Sequence, residues 1–325
     1  MFFINVVILI VGFFALIKGA DFFVDGSAAL AKNFRVPGLI IGLTIVALGT
    51  SAPELAVSIS AALQNSNEIA LSNVVGSNLF NILCVLGFCA VIHPVPVDTG
   101  ILKRDFPISM ISTIFVLVAT SATTIFTGRF LEIGMEEEVG SVSRIIGGIL
   151  VVLFIAYICY LIYDAKRYPE KEDETPNQPI LKCLLLIIIG LVLIVGGGQA
   201  VVNSAKNIAT VMGMTETLIG LTIVAVGTSL PELVTSIVAA RKGETGLAVG
   251  NVIGSNIFNL MLILGLSAVI HPVTVNLASV YDMAILTVIS VLIFIFSLTS
   301  KTIKRTEGFI MLAIYIADVI FAIVR

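Results

Sequence analysis

Thr44-Ile-Val-Ala-Leu-Gly-Thr-Ser-Ala-Pro-Glu54 recurs as Thr222-Ile-Val-Ala-Val-Gly-Thr-Ser-Leu-Pro-Glu232, identical at 9 of 11 positions and displaced by 178 residues. The same displacement, without a gap, relates Asp21 to Gln199, Ala47 to Ala225 and His93 to His271. The chain is therefore a duplication, and each copy keeps one Glu inside a long apolar stretch. An ionisable group at bilayer depth is costly and marks a functional site by default. A pair of them, each preceded by Thr-Ser and Pro, predicts a cation site.

The membrane setting follows from composition. Apolar residues make up 58% of the 325 and charged residues 12%, and the mean hydropathy is +1.11, outside the range of soluble domains. Ten stretches are long and apolar enough to cross a ~30 Å hydrocarbon core: 2–31, 37–63, 69–92, 106–126, 144–163, 180–209, 216–240, 246–270, 278–298 and 308–324. The first has no basic flank and its repeat-mate is internal, so it reads as a retained span rather than a signal peptide. A net charge of −3 gives no sign of nucleic-acid binding. Cys84, Cys89, Cys159 and Cys183 show no C-x-x-C spacing and read as small apolar filler.

Five spans per copy is an odd number, so the second copy must enter the membrane from the opposite side. The predicted fold is an all-α integral membrane protein of ten transmembrane helices in two inverted five-helix repeats, residues 1–163 and 180–325, joined by a charged linker at 164–179. Basic residues set the orientation. With the N-terminus outside, 13 of the 18 Lys and Arg fall on inner loops and 4 on outer ones, which places both termini outside a cytoplasmic membrane. The linker acids Glu170, Glu172, Asp173 and Glu174 and the outer patch Glu132 with Glu136–Glu138 read as solvated charge. Lipid is the expected surrounding, and the chain is expected to work as a monomer.

The chemistry of the repeated peptide is that of oxygen. Pro53 has no N–H and deprives the Gly49 carbonyl of its helical donor; such backbone survives in a membrane only where it is buried or lines a cavity. Thr50 and Ser51 put hydroxyls on the face of Glu54, as Thr228 and Ser229 do beside Pro231 and Glu232. The next span adds a polar stripe, Asn73, Ser77 and Asn81, repeated as Asn251, Ser255 and Asn259. Asn73 and Asn251 fit packing as well as ligation, while Asn78 and Asn256 point off the stripe and fit interhelical packing. The set has no thiolate or imidazole, so it suits Na+, Ca2+ or Mg2+ rather than zinc or copper. Lys18 and Asp21 are spaced to pair, and Asp21 and Asp25 fit structure better than primary ligation. His93 and His271 each precede a Pro at the end of a span.

Gly49–Glu54 (GTSAPE) and Gly227–Glu232 (GTSLPE), with Gly76–Asn81 (GSNLFN) and Gly254–Asn259 (GSNIFN), resemble the two alpha-repeats of the calcium/cation antiporter superfamily, and within it the prokaryotic sodium/calcium exchangers. The likeness covers both halves. It implies exchange of Na+ for Ca2+ by alternating access, with three Na+ per Ca2+ and no cofactor beyond the transported ions. The second, third, seventh and eighth spans would form the core, across which the first and sixth slide. It implies Glu54 and Glu232 as shared Ca2+ and Na+ ligands. Thr50, Ser51, Thr228 and Ser229 would be ligands through hydroxyl or carbonyl, with Ala47 and Ala225 through their backbones. Ser77, Asn81, Ser255 and Asn259 would complete the Na+ sites. One departure is Asn259, where potassium-dependent relatives and some sodium/calcium exchangers carry Asp, which weakens the case for K+ co-transport. The linker is also too short for a calcium-sensing domain. Exchange of H+ for Ca2+ is the alternative within the superfamily. An intramembrane protease would need a Ser-His, paired-Asp or H-E-x-x-H constellation, and a passive channel would need no counter-ion.

Overall fold

Each copy of the repeated peptide breaks its helix at the serine. The computed structural model describes residues 2–64, 67–127, 134–167, 178–213 and 225–324. Helix α2 (Gly38–Thr50) and α3 (Ala52–Leu63) meet at Ser51 with a bend of 50°. The cause is local: Pro53, in the first turn of α3, cannot donate to the ladder. The second copy breaks in the same way at Ser229, between α8 (Ala225–Thr228) and α9 (Leu230–Arg241).

The remaining helices follow from apolar runs punctuated by Gly and Pro. They are α1 (Phe2–Phe34), α4 (Asn67–Leu79 continuing to Ile92), α5 (Phe106–Thr127), α6 (Arg144–Arg167), α7 (Ile180–Val211), α10 (Thr245–Ile257 continuing to Ile270), α11 (Leu277–Ser300) and α12 (Arg305–Val324). Six of these are long and apolar enough to cross a membrane, and the bent pair α2/α3 makes a seventh. Burial sorts them. The apolar windows of α4 and α10 are each 78% buried, against 17% for α1 and 28% for α7. Hence α4 and α10 form the centre, and α1 and α7 present most of their surface outward, where lipid satisfies an apolar side chain.

Close approach of α1 and α7 depends on glycine. A Cβ on Gly19 would meet the Gly190 carbonyl at 2.8 Å, and one on Gly197 would meet the Gly12 carbonyl at 2.8 Å. These contacts run in opposite chain directions, so the two long helices pack antiparallel along small residues. Short strands tie the ends. β1 (Val95–Pro96) pairs with β4 (Thr302–Ile303), and β2 (Glu138–Val142) with β3 (Val273–Asn276). Arg305 donates to the Ile92 carbonyl and Arg144 to the Ile270 carbonyl, at 3.3 and 3.4 Å, capping α4 and α10 with positive charge. His93 and His271 are the extended C-cap residues of the same two helices, as their place before Pro suggested.

Both central helices widen at matching places. Phe80–Val85 and Phe258–Ile263 are π-helical, and each stretch contains Asn81 or Asn259 as its second residue. Such turns cluster at functional sites, and no residue pattern in the sequence announced them. The linker acids at 170–174 and Glu132 lie outside the described residues, while Glu136–Glu138 are exposed.

Candidate cation site

Ser51 and Glu54, like Ser229 and Glu232, have the spacing of a helix capping box. Neither serine caps its own helix. Instead Ser51 Oγ donates to Glu232 Oε1 and Ser229 Oγ donates to Glu54 Oε1, both at 2.8 Å. The exchange joins the two repeats at one point. Each carboxylate sits in the first turn of its helix, where the helix dipole favours negative charge. Ser255 Oγ lies 3.0 Å from Ser51 Oγ and 3.4 Å from Glu232 Oε1, and Ser77 Oγ lies 3.2 Å from Ser229 Oγ.

The central helices supply a second reciprocal set. Asn78 and Asn256 donate to each other's backbone carbonyls at 3.3 and 3.4 Å. Asn81 then donates to Asn256 Oδ1 at 3.1 Å, and Asn259 to Asn78 Oδ1 at 3.0 Å. Asn78 and Asn256 are thus the interhelical pair that their off-stripe position suggested. They also hold Asn81 and Asn259 by the amide nitrogen, so the Oδ1 atoms of the latter face away from that bond.

Asn73 and Asn251 work one level further out. Each donates to the Oγ of a serine one turn beyond its Glu, Ser58 at 3.0 Å or Ser236 at 2.9 Å, and to the backbone carbonyl of Glu54 or Glu232 at 3.4 Å. Asn251 also accepts from Thr50 Oγ1 at 2.9 Å. These contacts fix the backbone that carries the carboxylates. Ser58 and Ser236 did not stand out in the sequence, although each repeats four residues after its Glu. The Ala47 carbonyl accepts the Ser51 N–H at 3.0 Å and lies 3.4 Å from the Thr50 hydroxyl. Ala225 and Thr228 stand on α8 in the equivalent turn.

What is left over defines the chemistry. Glu54 and Glu232 are 1% and 0% exposed. Among the described residues no Lys, Arg or His forms an ion pair with either. Glu54 Oε2, Glu232 Oε2, Asn81 Oδ1 and Asn259 Oδ1 are all buried without a hydrogen-bond partner. An unpaired buried carboxylate is among the costliest groups a protein can hold. Four acceptors without donors, two of them on acids, suit a bound cation and nothing that must itself accept a hydrogen bond. All are oxygen, the hard donor that alkali and alkaline-earth ions prefer.

The residues expected outside the site behave otherwise. Lys18 pairs with Asp21 at 3.4 Å as its spacing suggested. No local spacing hints that Lys242 reaches both acids, bonding Asp25 Oδ1 at 2.8 Å and the Asp21 carbonyl at 3.1 Å. A further cluster was also missed: Arg104 binds Asp105 and Asp164, and Tyr157 donates to Asp105 at 3.0 Å. It ties the turn at Ile101–Asp105, which leads into α5, to α6 and leaves the carboxylates of the site untouched.

A helical membrane protein with a buried, two-carboxylate, all-oxygen site at the junction of two repeats belongs to the class of ion-coupled carriers. The family model for the sodium/calcium exchanger protein matches residues 4–163 and 182–324, and the chain belongs to that family. It is 33% identical over 339 residues to the sodium/calcium exchanger MaX1 of Methanosarcina acetivorans, covering 97% of each chain. It is 34% identical over 317 residues to the uncharacterized membrane protein MJ0091 of Methanocaldococcus jannaschii, again over 97% of each. Among solved structures, the sodium-calcium exchanger NCX_Mj soaked without Na+ or Ca2+ superposes with a TM-score of 0.83 at 32% identity over 100% of both chains. The same exchanger soaked with 2.5 mM Na+ and 0.1 mM Ca2+ superposes with a TM-score of 0.81 over 98% of each.

Proposed function

We propose that the chain exchanges Na+ for Ca2+ across the cytoplasmic membrane by alternating access, with one shared site in which Glu54 and Glu232 hold either Ca2+ or Na+. The observation that carries this reading is the set of four orphaned oxygens around two buried carboxylates without an ion-pair partner among the described residues. Two carboxylates balance one divalent ion. The neutral oxygens of Ser77, Asn81, Ser255, Asn259, Thr50, Ser51, Thr228 and Ser229, with the Ala47 and Ala225 carbonyls, would divide the same space among several Na+ ions.

The architecture proposed with it is ten spans in two inverted repeats, 1–163 and 180–325, about the linker 164–179, with both termini outside. Three observations support inversion. The bonds at Ser51–Glu232 and Ser229–Glu54 are reciprocal, those of Asn78 and Asn256 likewise, and α1 packs antiparallel to α7. In this scheme α1 and α7, whose apolar windows are only 17% and 28% buried, slide as a glycine-packed pair over the core of α2/α3, α4, α8/α9 and α10.

Reconstituted liposomes test the reading. Vesicles loaded with Na+ and diluted into Na+-free medium containing radioactive Ca2+ are expected to accumulate Ca2+, while vesicles with an outward H+ gradient or no gradient do not. Uptake driven by H+ alone would replace Na+ by H+ as the counter-ion. Uptake without any gradient would make the protein a channel.

A further inference from the structure

The two repeats match in the core but not in how α1 and α7 meet it. These two helices form one body. Besides their glycine contacts, Asn33 donates to the Gln178 carbonyl at 2.8 Å near one end, and Asn207 donates to Asn5 Oδ1 at 3.3 Å near the other. Against the core the pair is seated unevenly. Helix α1 packs along α9, whereas α7 has almost no contact with α3, its repeat-related partner, among the described residues. Two equivalent contacts that differ this much define one of two states, and exchanging their roles gives the other.

The close contact is the charged one. Lys242, the C-cap residue of α9, lies 2.8 Å from Asp25 Oδ1 and 3.4 Å from Asp21 Oδ1 on α1. It stands ten residues beyond Glu232, or about 15 Å along the helix axis, on the inner side in the proposed orientation. The displacement of 178 residues carries Lys242 to Gln64, Asp21 to Gln199 and Asp25 to Asn203. Gln64 is likewise the C-cap residue of its helix. It bonds Ser60 one turn back, and Gln199 bonds Asn203 within α7, both at 2.9 Å. The neutral set is therefore satisfied within each helix, and the charged set reaches across. Part-exposed ion pairs add little to fold stability. Between two bodies that move past each other, however, the same small energy sets the balance of states.

We propose that Lys242 with Asp21 and Asp25 is a latch that holds α1 on α9, shuts the inner route to Glu54 and Glu232, and biases the carrier toward the state open on the outer side. The sidedness rests on the exchange reading above; the latch itself does not. Ser27 supplies a probe. It is 0% exposed and lies one turn beyond Phe23, whose ring would stand 2.9 Å from a Cβ on Gly49 of α2, so it is covered while α1 rests on the core. In a Cys159→Ser background, Ser27→Cys is treated with a membrane-impermeant thiosulfonate from the face that bears Lys242. Lys242→Gln should speed labelling by about two- to fivefold, as expected for part-exposed ion pairs, and Lys242→Arg should label at the parent rate. Lys242→Gln should add nothing in Asp21→Asn/Asp25→Asn protein. Unaltered labelling in Lys242→Gln, or a full effect where both aspartates are already gone, would overturn the latch. A second measurement needs no cysteine: in Lys242→Gln the half-saturating Ca2+ on the inner face should fall by the same factor, and that on the outer face should stay within about twofold. Equal shifts on both faces, or none on the inner, would overturn the sidedness. If the parent protein shows no Na+-coupled flux, the exchange reading fails, and the labelling still decides the latch.

Discussion

Glu54→Gln and Glu232→Gln are each expected to reduce Na+-driven Ca2+ uptake into liposomes to the level of protein-free vesicles. Glutamine keeps the shape and removes one negative charge from a site that is 1% exposed or less at both acids. A dehydrated divalent ion would then sit on one carboxylate, with an uncompensated positive charge in surroundings of low dielectric constant. The neighbouring hydroxyls give the contrast. Ser77→Ala and Ser255→Ala each remove one neutral oxygen among several, with a net worth of about 0.5–1.5 kcal/mol, or roughly two- to twelvefold in apparent affinity. Substantial Ca2+ flux in either glutamine variant would remove these carboxylates from the transport step.

Membrane potential should have an effect of comparable size. Asn81 and Asn259 are neutral, so the ionised core carries two negative charges, from Glu54 and Glu232. One Ca2+ neutralises it; three Na+ leave it with one positive charge. Each cycle of a three-for-one exchange therefore moves one net charge. That couples it to the potential by ~2.3 kcal/mol per 100 mV, about fiftyfold in the exchange equilibrium. With K+ and valinomycin setting the voltage, a negative interior should favour Na+ influx and Ca2+ export by that factor. Equal exchange at 0 and −100 mV would indicate a two-for-one, electroneutral cycle.

Much of the site was legible because duplication prints it twice. Glu54 and Glu232 stood out as acids in apolar spans, and Ser51, Ser229, Ser77, Ser255, Asn81 and Asn259 stood out by spacing. Their partners did not. Ser51 and Glu54 have the spacing of a local cap, and only tertiary structure decides that Ser51 turns to Glu232 instead. The π-turns that begin at Phe80 and Phe258 contain Asn81 and Asn259 and have no composition of their own. Asn73 and Asn251 were ambiguous because a donor aimed at Ser58 or Ser236 and one aimed at an ion look alike on a helical wheel. Lys242 reaches Asp25 across 217 residues, a pairing no local pattern encodes. Helix termini were read closely where Pro or Gly marks them, as at Pro53, Pro94 and Pro272.

The central claim is that the two buried carboxylates share one Ca2+ in competition with Na+. Equilibrium binding of radioactive Ca2+ to the purified protein measures this directly. The account predicts one Ca2+ per chain, displaced by Na+ with a Hill coefficient above one because several Na+ ions occupy the same oxygens, and lost in Glu54→Gln and Glu232→Gln alike. Ca2+ binding that Na+ cannot displace, or that survives loss of either carboxylate, would contradict it.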